Sequence, residues 1–426
     1  MTSLQIVGYR AWCHPIADCN TWQASSEVKP GKQVFLDPYE LMGAALKQAR
    51  RRDFSDRSFI GPLQRLIEAQ NAEGDLSSFG RYAVRFDIMR SLRNLLHFDA
   101  MEEVWPDLPS RPIHRPIFVT GLPRSGTTFL HELLLQHPGI IGPLSWQMMY
   151  PYPWRAPFGA ALCKSWVECQ LGVMCWSAPE LKQLHPLSAD GPQECTDITA
   201  QVFQSLRFET IYRVPSYQAW LAHHGHMNAY RFHRRFLQHL DAQTPGRRWV
   251  VKSPDHVFAL DEIKTVYPDA QIVFLHRDPV SVLASVAKLT EVLRRPFVRR
   301  VDRSEIGRQV RDSWIEGSNR MVDAAAGSDS ILHLHYNQLV SDPIETASSL
   351  CHRCGLGFDD RIRQRMKRWL ARTRHDESAR RNYSLAAFGL DAQVLRRQFA
   401  RYSDTFAIAP EWHDESSGPT GILCTA

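Results

Sequence analysis

Residues 116–130 constrain the fold more than any other part of the chain. They read as a short apolar strand, a tight loop bounded by Gly121 and Gly126, and an amphipathic helix that begins near Ser125 or Gly126. This order of elements directs backbone N–H groups and the positive end of a helix at one point. Such a point binds phosphate or sulfate without needing side chains. The sequence therefore predicts a site for an anionic, nucleotide-like ligand.

The loop differs from the Walker A motif of nucleoside-triphosphate hydrolases. Gly121 and Gly126 have the Walker A separation, but Thr127 stands where that motif has lysine. A positive charge lies inside the loop instead, at Arg124. A guanidinium can donate paired hydrogen bonds to two oxygens of one anion. Because the lysine that contacts the β- and γ-phosphates is missing, ordinary triphosphate hydrolysis is disfavoured.

The composition is that of an ordinary globular protein with a mildly basic balance. The chain has 426 residues, is 44% hydrophobic and carries a formal net charge of +6. This balance fits an acidic ligand or no special partner, whereas nucleic-acid binders usually show a stronger bias on one face. No apolar run is long enough for a membrane-spanning helix, and residues 1–18 lack the pattern of a signal peptide. With nine scattered cysteines, we expect a cytoplasmic protein with mostly reduced thiols.

The chain divides by pattern into three parts. Residues 1–110 read as a helical extension, with helices predicted from Asp37-Pro38, over residues 59–69 and over residues 82–98. Residues 111–410 read as the main α/β domain, and residues 411–426 as a C-terminal tail.

Short apolar strands alternate with helices in the main domain. Besides the strand before the loop, strands are predicted over residues 248–252, 270–276 and 330–335, with helices over 257–267, 279–293 and 341–354. This alternation predicts a P-loop-like parallel sheet flanked by helices. In such sheets the ligand lies beyond the carboxyl ends of the strands. The residues that follow the strands there are Arg124, Lys252, Arg277 and Tyr336.

A second anion site is predicted after the strand at residues 270–276. That strand delivers Arg277, the next helix begins at Asp278-Pro279, and Ser285 lies on its second turn. An arginine, a hydroxyl and a helix N-terminus arranged in this way can hold one phosphate. Together with the first loop, this pattern predicts a ligand with two separated anionic groups.

These motifs resemble those of the sulfotransferase superfamily in its bacterial form. Residues 123–128 resemble the loop that binds the 5′-phosphosulfate, and Arg277 with Ser285 resembles the motif that binds the 3′-phosphate. The resemblance implies 3′-phosphoadenosine-5′-phosphosulfate as donor and co-substrate, with no metal. It also implies a set of donor-binding residues: Arg124, Ser125, Gly126, Thr127, Thr128, Arg277, Ser285, Tyr336, Arg380 and Arg381.

The catalytic base is left open by the sequence. His256, just past a strand end and near Lys252, titrates near neutrality and suits proton abstraction. Glu194, early on a predicted helix, is an equal candidate. Lys252 and Arg124 are expected to stabilise the transferred group.

The resemblance implies sulfuryl transfer from the donor to an acceptor hydroxyl. The acceptor is expected to be a small-molecule or lipid-like alcohol, and neither nucleic acid nor a membrane-spanning segment is expected. An aromatic-rich stretch over residues 143–176 is either an apolar acceptor pocket or ordinary core. The alternatives are a P-loop kinase or nucleotidase, which needs a loop lysine and a magnesium-binding acid, and a non-catalytic adenine nucleotide-binding protein.

Overall fold

A five-stranded parallel sheet organises the molecule. The computed structural model describes residues 35–152, 159–327, 330–373 and 383–411. The strand order is β2-β3-β1-β4-β5, and every neighbouring pair is parallel. The strands are β1 Ile117–Gly121, β2 Ile140–Ile141, β3 Arg248–Lys252, β4 Gln271–His276 and β5 Leu332–His335.

The register brings the predicted strand ends to one edge. In β1, Phe118 pairs with Val251 of β3 and with Ile272 of β4, and all five residues of β1 are buried. Strands buried on both faces are typical of parallel sheets covered by helices. The α/β fold and the four predicted strands are confirmed. The two-residue β2 at the edge of the sheet was not predicted, since two isoleucines give no periodicity to detect.

Three helices precede the sheet, as predicted: α1 Pro38–Ala49, α2 Ile60–Glu73 and α3 Ser78–Val104. Asp37 caps α1 by accepting a hydrogen bond from the Glu40 backbone N–H at 2.8 Å, which satisfies an otherwise unpaired donor. The largest cluster of buried residues extends from Leu36 to Tyr402. These helices therefore pack into the same core as the sheet, and the boundary at residue 110 stays a prediction.

The remaining helices cover the sheet and build the walls of the site. They are α4 Thr127–Leu134, α5 Ser145–Met149, α6 Gly159–Ser177, α7 Leu181–Leu184, α8 Thr196–Thr199, α9 Arg207–Ile211, α10 Pro215–His224, α11 Met227–Gln243, α12 Leu260–Val266, α13 Pro279–Arg294, α14 Arg303–Ala326, α15 Tyr336–Ser341, α16 Pro343–Arg353, α17 Asp360–Arg372, α18 Ala392–Gln398 and α19 Ala400–Thr405. Short 3₁₀ turns occur at Leu108–Ser110, Ala200–Val202, Pro254–Phe258 and Ala386–Phe388. None of the helices in the described ranges combines the length and the apolar character that crossing a membrane requires.

Gly121, at the end of β1, cannot be replaced without strain. Its φ is +147°, and a Cβ atom there would lie 2.2 Å from the Leu275 carbonyl oxygen of β4. We expect Gly121→Ala to lower the free energy of unfolding by about 3 kcal/mol, because it adds backbone strain and a clash with the sheet. Urea denaturation measures the loss.

Gly43 in α1 gives the matched control. It is exposed, and a Cβ atom there would meet nothing within 4 Å. Alanine is a better helix former than glycine, so Gly43→Ala should leave stability unchanged or raise it by up to about 1 kcal/mol. Equal stability of the two variants would contradict the close approach of β1 to β4.

Candidate active site

The loop after β1 has the backbone geometry of an anion site. Arg124 has a φ of 63° and Gly126 a φ of 92°, so the chain turns sharply before α4 begins at Thr127. The buried Ser125 hydroxyl donates to the Leu122 carbonyl at 2.6 Å, which fixes the turn from inside. The N-terminus of α4 therefore lies at the carboxyl edge of the sheet, where an anion is stabilised.

The second predicted site adjoins this loop directly. The Arg277 guanidinium lies 3.8 Å from the centre of the Tyr336 ring, a cation–π arrangement. Its Nη1 also donates to the Arg124 carbonyl at 2.8 Å. A Cβ atom on Gly126 would lie 2.9 Å from the Tyr336 ring. The structure thus brings together Arg124, Gly126, Arg277 and Tyr336, and Ser285 lies half-buried on the second turn of α13.

Arg277 is already paired with an anionic group. Its Nε donates to the Glu411 carboxylate at 2.9 Å, and the Glu411 backbone N–H donates to Asp278 at 2.9 Å. The carboxylate therefore binds the guanidinium for which the sequence predicts a phosphate partner. Nothing in the motif pattern indicated this contact, because it joins residues far apart in the chain.

The buried Lys252 and the half-buried Glu194 form an ion pair beside the loop. Lys252 is 1% exposed, and its Nζ donates to Glu194 at 2.8 Å and to the Thr128 hydroxyl at 3.1 Å. Burial alone would raise the pKa of Glu194, but nearby positive charge, foremost that of Lys252, holds it below the ordinary value. Glu194 is therefore an ionised carboxylate at neutral pH.

His185 is a polar residue of the site that the sequence analysis missed. It follows the short helix α7 and lines the same cavity as Arg124 and Glu194. Burial lowers the pKa of His185, and the charges of Lys252 and Arg124 add to this effect, while Glu194 opposes it. Arg124 itself donates to the carbonyl of the neighbouring Leu184 at 2.9 Å. No motif or spacing marked His185, because it comes from a connecting segment.

His256 lies in the core behind β1. It is 1% exposed, and its Nδ1 is 2.5 Å from the Tyr230 hydroxyl. The ring packs edge-on against Phe118, with centroids 4.9 Å apart. Burial lowers the pKa of His256 well below its ordinary value. The described residues that line the cavity include Glu194 but not His256.

A cavity of about 390 Å³ extends from the loop into the helical layer. One end is formed by Arg124, Thr128, Arg277 and Tyr336, and the rest runs between α9, α13 and α14. Its apolar lining includes Leu206, Phe258, Val286, Leu289, Leu293, Val310 and Trp314, and polar side chains between them are Thr210, Thr290, Gln309 and Ser313. The described part of residues 143–176 is absent from this lining, and Trp146 packs with Cys163 instead. Arg380 and Arg381 lie outside the described residues.

The comparisons with known proteins agree with this arrangement. The chain is 30% identical in sequence to sulfotransferase STF1 from Mycobacterium tuberculosis H37Rv. Its fold matches the crystal structure of that protein with a TM-score of 0.75, and the match covers 86% of this chain and 99% of that one. Sulfotransferase STF9 from Mycobacterium avium gives 25% identity and a TM-score of 0.80 over 91% of this chain and 100% of that one.

A curated relative is similar over a shorter region. It is the omega-hydroxy-beta-dihydromenaquinone-9 sulfotransferase Stf3 of Mycobacterium bovis, 25% identical over 278 residues. The match covers 60% of this chain and 66% of the relative, slightly less than two thirds of its length. The model of the "Sulfotransferase family" matches residues 116–360, which include the loop, Lys252, Arg277 and Tyr336. This chain therefore belongs to the sulfotransferase family.

Proposed function

We propose that the protein transfers a sulfuryl group from 3′-phosphoadenosine-5′-phosphosulfate to a hydroxyl of an apolar acceptor. The observation that carries this proposal is the direct contact between two anion sites, Arg277 Nη1 to the Arg124 carbonyl at 2.8 Å. Two adjoining sites of positive charge suit one compound with two anionic groups. A kinase or nucleotidase is not favoured, because Thr127 occupies the lysine position of the loop.

The donor would lie along the carboxyl edge of the sheet. In this proposal the loop residues Ser125, Gly126, Thr127 and Thr128 hold the 5′-phosphosulfate at the N-terminus of α4. Arg277 and Ser285 hold the 3′-phosphate, and Tyr336 lies beside the adenosine. Arg380 and Arg381 remain proposed contacts to the 3′-phosphate.

Glu194 is the proposed base, and the contacts of Lys252 support this choice over His256. The acceptor oxygen attacks sulfur, the bond from sulfur to the phosphate oxygen breaks, and the hydroxyl proton passes to Glu194. The products are a sulfate ester and adenosine 3′,5′-bisphosphate. Lys252 and Arg124 would stabilise the charge that develops on the transferred group and on the leaving phosphate, as in phosphoryl transfer.

The Lys252–Glu194 pair offers a way to activate the base. Lys252 donates to Glu194 at 2.8 Å, and this contact helps to keep the Glu194 pKa low. A sulfonate between Lys252 and Thr128 would draw the ammonium away from Glu194. The pKa of Glu194 then rises, which makes the carboxylate a better proton acceptor at the moment of transfer.

The acceptor class follows from the cavity wall between α9, α13 and α14, which is mainly apolar. The curated relative is named for a hydroxylated menaquinone derivative, a lipid-like alcohol. We extend only the chemical class to this chain: a largely apolar molecule with a free hydroxyl.

One experiment tests the function directly. The purified protein is incubated with donor carrying ³⁵S-sulfate and with a lipid and metabolite extract, and labelled products are separated by mass. Label should enter an organic product, and chelation of magnesium should not stop transfer. Magnesium-dependent release of phosphate from ATP would support a kinase or nucleotidase instead. Binding of adenosine 3′,5′-bisphosphate with no transfer to any acceptor would support a non-catalytic protein.

Glu411 should compete with the donor. Its carboxylate accepts from Arg277 at 2.9 Å, so the 3′-phosphate must displace it. We expect Glu411→Gln to bind adenosine 3′,5′-bisphosphate about three- to tenfold more tightly, since a partly exposed ion pair of this kind contributes about 1 kcal/mol. Calorimetry measures the affinity. Glu316→Gln, on the exposed Arg320 pair of α14, should leave it unchanged, and weaker binding by Glu411→Gln would contradict the competition.

A further inference from the structure

A buried carboxyl group with an unused oxygen lines the inner part of the cavity. Glu209 of α9 is 7% exposed, and it belongs to the cavity lining. Its Oε2 has no hydrogen-bond partner among the residues that the structure describes. Buried polar atoms are almost always hydrogen-bonded, so an unpaired oxygen beside a cavity indicates a partner that enters from it.

The nearest cation does not neutralise this carboxyl group. Arg294 is buried, but its Nη2 donates to the Glu209 backbone carbonyl and, at 2.8 Å, to the Gln309 side chain. Gln309 also donates to the same carbonyl at 3.1 Å. These bonds hold the backbone of α9 in place and leave the carboxyl group of Glu209 without a hydrogen bond to Arg294 or Gln309.

A second acid, Asp255, lies on the same cavity wall. Burial raises the pKa of Glu209 to about 8, and the charge of Asp255 adds to this effect. Burial likewise raises the pKa of Asp255 to about 8, with a contribution from Glu194. Among the described residues neither acid forms an ion pair, although the charge of Arg294 opposes the rise in the pKa of Glu209 and that of Lys252 opposes it for Asp255.

The described cavity lining carries three acids, and Glu194 among them is the one that accepts from Lys252. Arg124 and Arg277 belong to the end where the donor is proposed to bind, whereas Glu209 and Asp255 lie with the apolar residues of the acceptor part. An acceptor that were apolar throughout would leave the oxygen of Glu209 unpaired. A group that donates a hydrogen bond to it would satisfy that oxygen.

We propose that Glu209 and Asp255 form an acceptor subsite that binds a second hydroxyl or an ammonium group, separate from the hydroxyl that receives the sulfuryl group. This inference rests on the proposed function in one respect, that the occupant of the cavity is the acceptor. It narrows the acceptor class to apolar alcohols that carry a second hydrogen-bond-donating group.

Binding of matched probes tests the subsite without any need for turnover. An alkanol, an alkanediol and an amino alcohol of equal chain length are compared over a series of lengths by calorimetry, with adenosine 3′,5′-bisphosphate present. The wild-type protein should bind the diol or the amino alcohol at least tenfold more tightly than the alkanol. Equal binding of all three probes, or binding of none at any length, would overturn the subsite.

Variants at Glu209 separate recognition from structure. Glu209→Leu should bind the diol and the amino alcohol no more tightly than the alkanol. It should bind the alkanol at least as tightly as the wild type does. Glu209→Gln should keep the preference if the group is a hydroxyl and lose it if the group is an ammonium. Asp255→Asn should weaken the preference, whereas Glu316→Gln on the outer face of α14 should retain it in full. A preference that persists in Glu209→Leu would overturn the proposal.

The two proposals fail in different ways. If no acceptor is sulfated but the probe preference exists and depends on Glu209, the sulfuryl transfer is wrong and the subsite stands. If sulfate transfer proceeds but bifunctional probes have no advantage, the subsite alone is wrong. Unchanged affinity of Glu209→Leu for adenosine 3′,5′-bisphosphate shows that this variant is folded.

Discussion

Lys252→Met should lower kcat by roughly a hundred- to a thousandfold. Lys252 is 1% exposed and donates to both Glu194 and Thr128, so no solvent cation can take its place. Removing one positioned donor that stabilises developing charge typically costs about 3–4 kcal/mol of transition-state stabilisation. Initial rates of labelled sulfate transfer at saturating donor and acceptor measure the loss.

The control for this variant must separate catalysis from folding. Loss of one partner from a buried pair leaves the other without compensation, which lowers stability as well. The double variant Lys252→Met, Glu194→Gln removes both charges and should recover stability but no activity. Thermal unfolding and affinity for adenosine 3′,5′-bisphosphate are measured alongside the rate. A folded Lys252→Met protein with wild-type kcat would exclude a catalytic role for Lys252.

Glu194→Gln should lower kcat by roughly a hundred- to ten-thousandfold while donor affinity changes little. General base catalysis contributes about this much, and glutamine keeps the shape of the side chain but cannot take a proton. Because positive charge lowers the pKa of Glu194 in the free protein, the active carboxylate persists below the usual range of glutamate. The wild-type kcat/KM for the donor, which reports the free protein, should therefore fall only at more acidic pH, as Glu194 becomes protonated, and this acid limb should vanish in the variant.

Glu132 is the matched comparison for Glu194. It is half-buried on α4, near Lys252, but burial raises its pKa and it lies outside the lining of the main cavity. Glu132→Gln should keep kcat within a few-fold of the wild type. A large loss of activity in Glu132→Gln, together with normal activity in Glu194→Gln, would show that Glu132 and not Glu194 accepts the proton.

The proposed donor side of the site was predictable because it is made of strand ends. Apolar runs before Arg124, Lys252, Arg277 and Tyr336 marked four strands, and parallel order brings such ends to one edge. The parallel sheet of the structure places these strand ends at one edge, as predicted. These residues follow regular elements, so their spatial relation is set by a topology that the hydrophobic pattern already specifies.

The acceptor side could not be predicted in the same way. His185 and Asp255 come from irregular segments, and Glu209 from the five-residue helix α9. Short segments have no periodicity, and their position depends on packing against α13 and α14. The choice between His256 and Glu194 also required the tertiary structure, because both residues follow plausible sequence patterns and differ mainly in which of them faces the cavity.

Arg277 contacts both ends of the proposed donor site. Its guanidinium packs on Tyr336 and also holds the carbonyl of Arg124 in the left-handed turn of the loop. A compound that reaches only the loop would thus leave Arg277 paired with Glu411 and in contact with the Arg124 carbonyl. Adenosine 5′-phosphosulfate, which lacks the 3′-phosphate, should therefore bind less tightly than the full donor, but by less than one phosphate contact alone explains, because it does not have to displace Glu411.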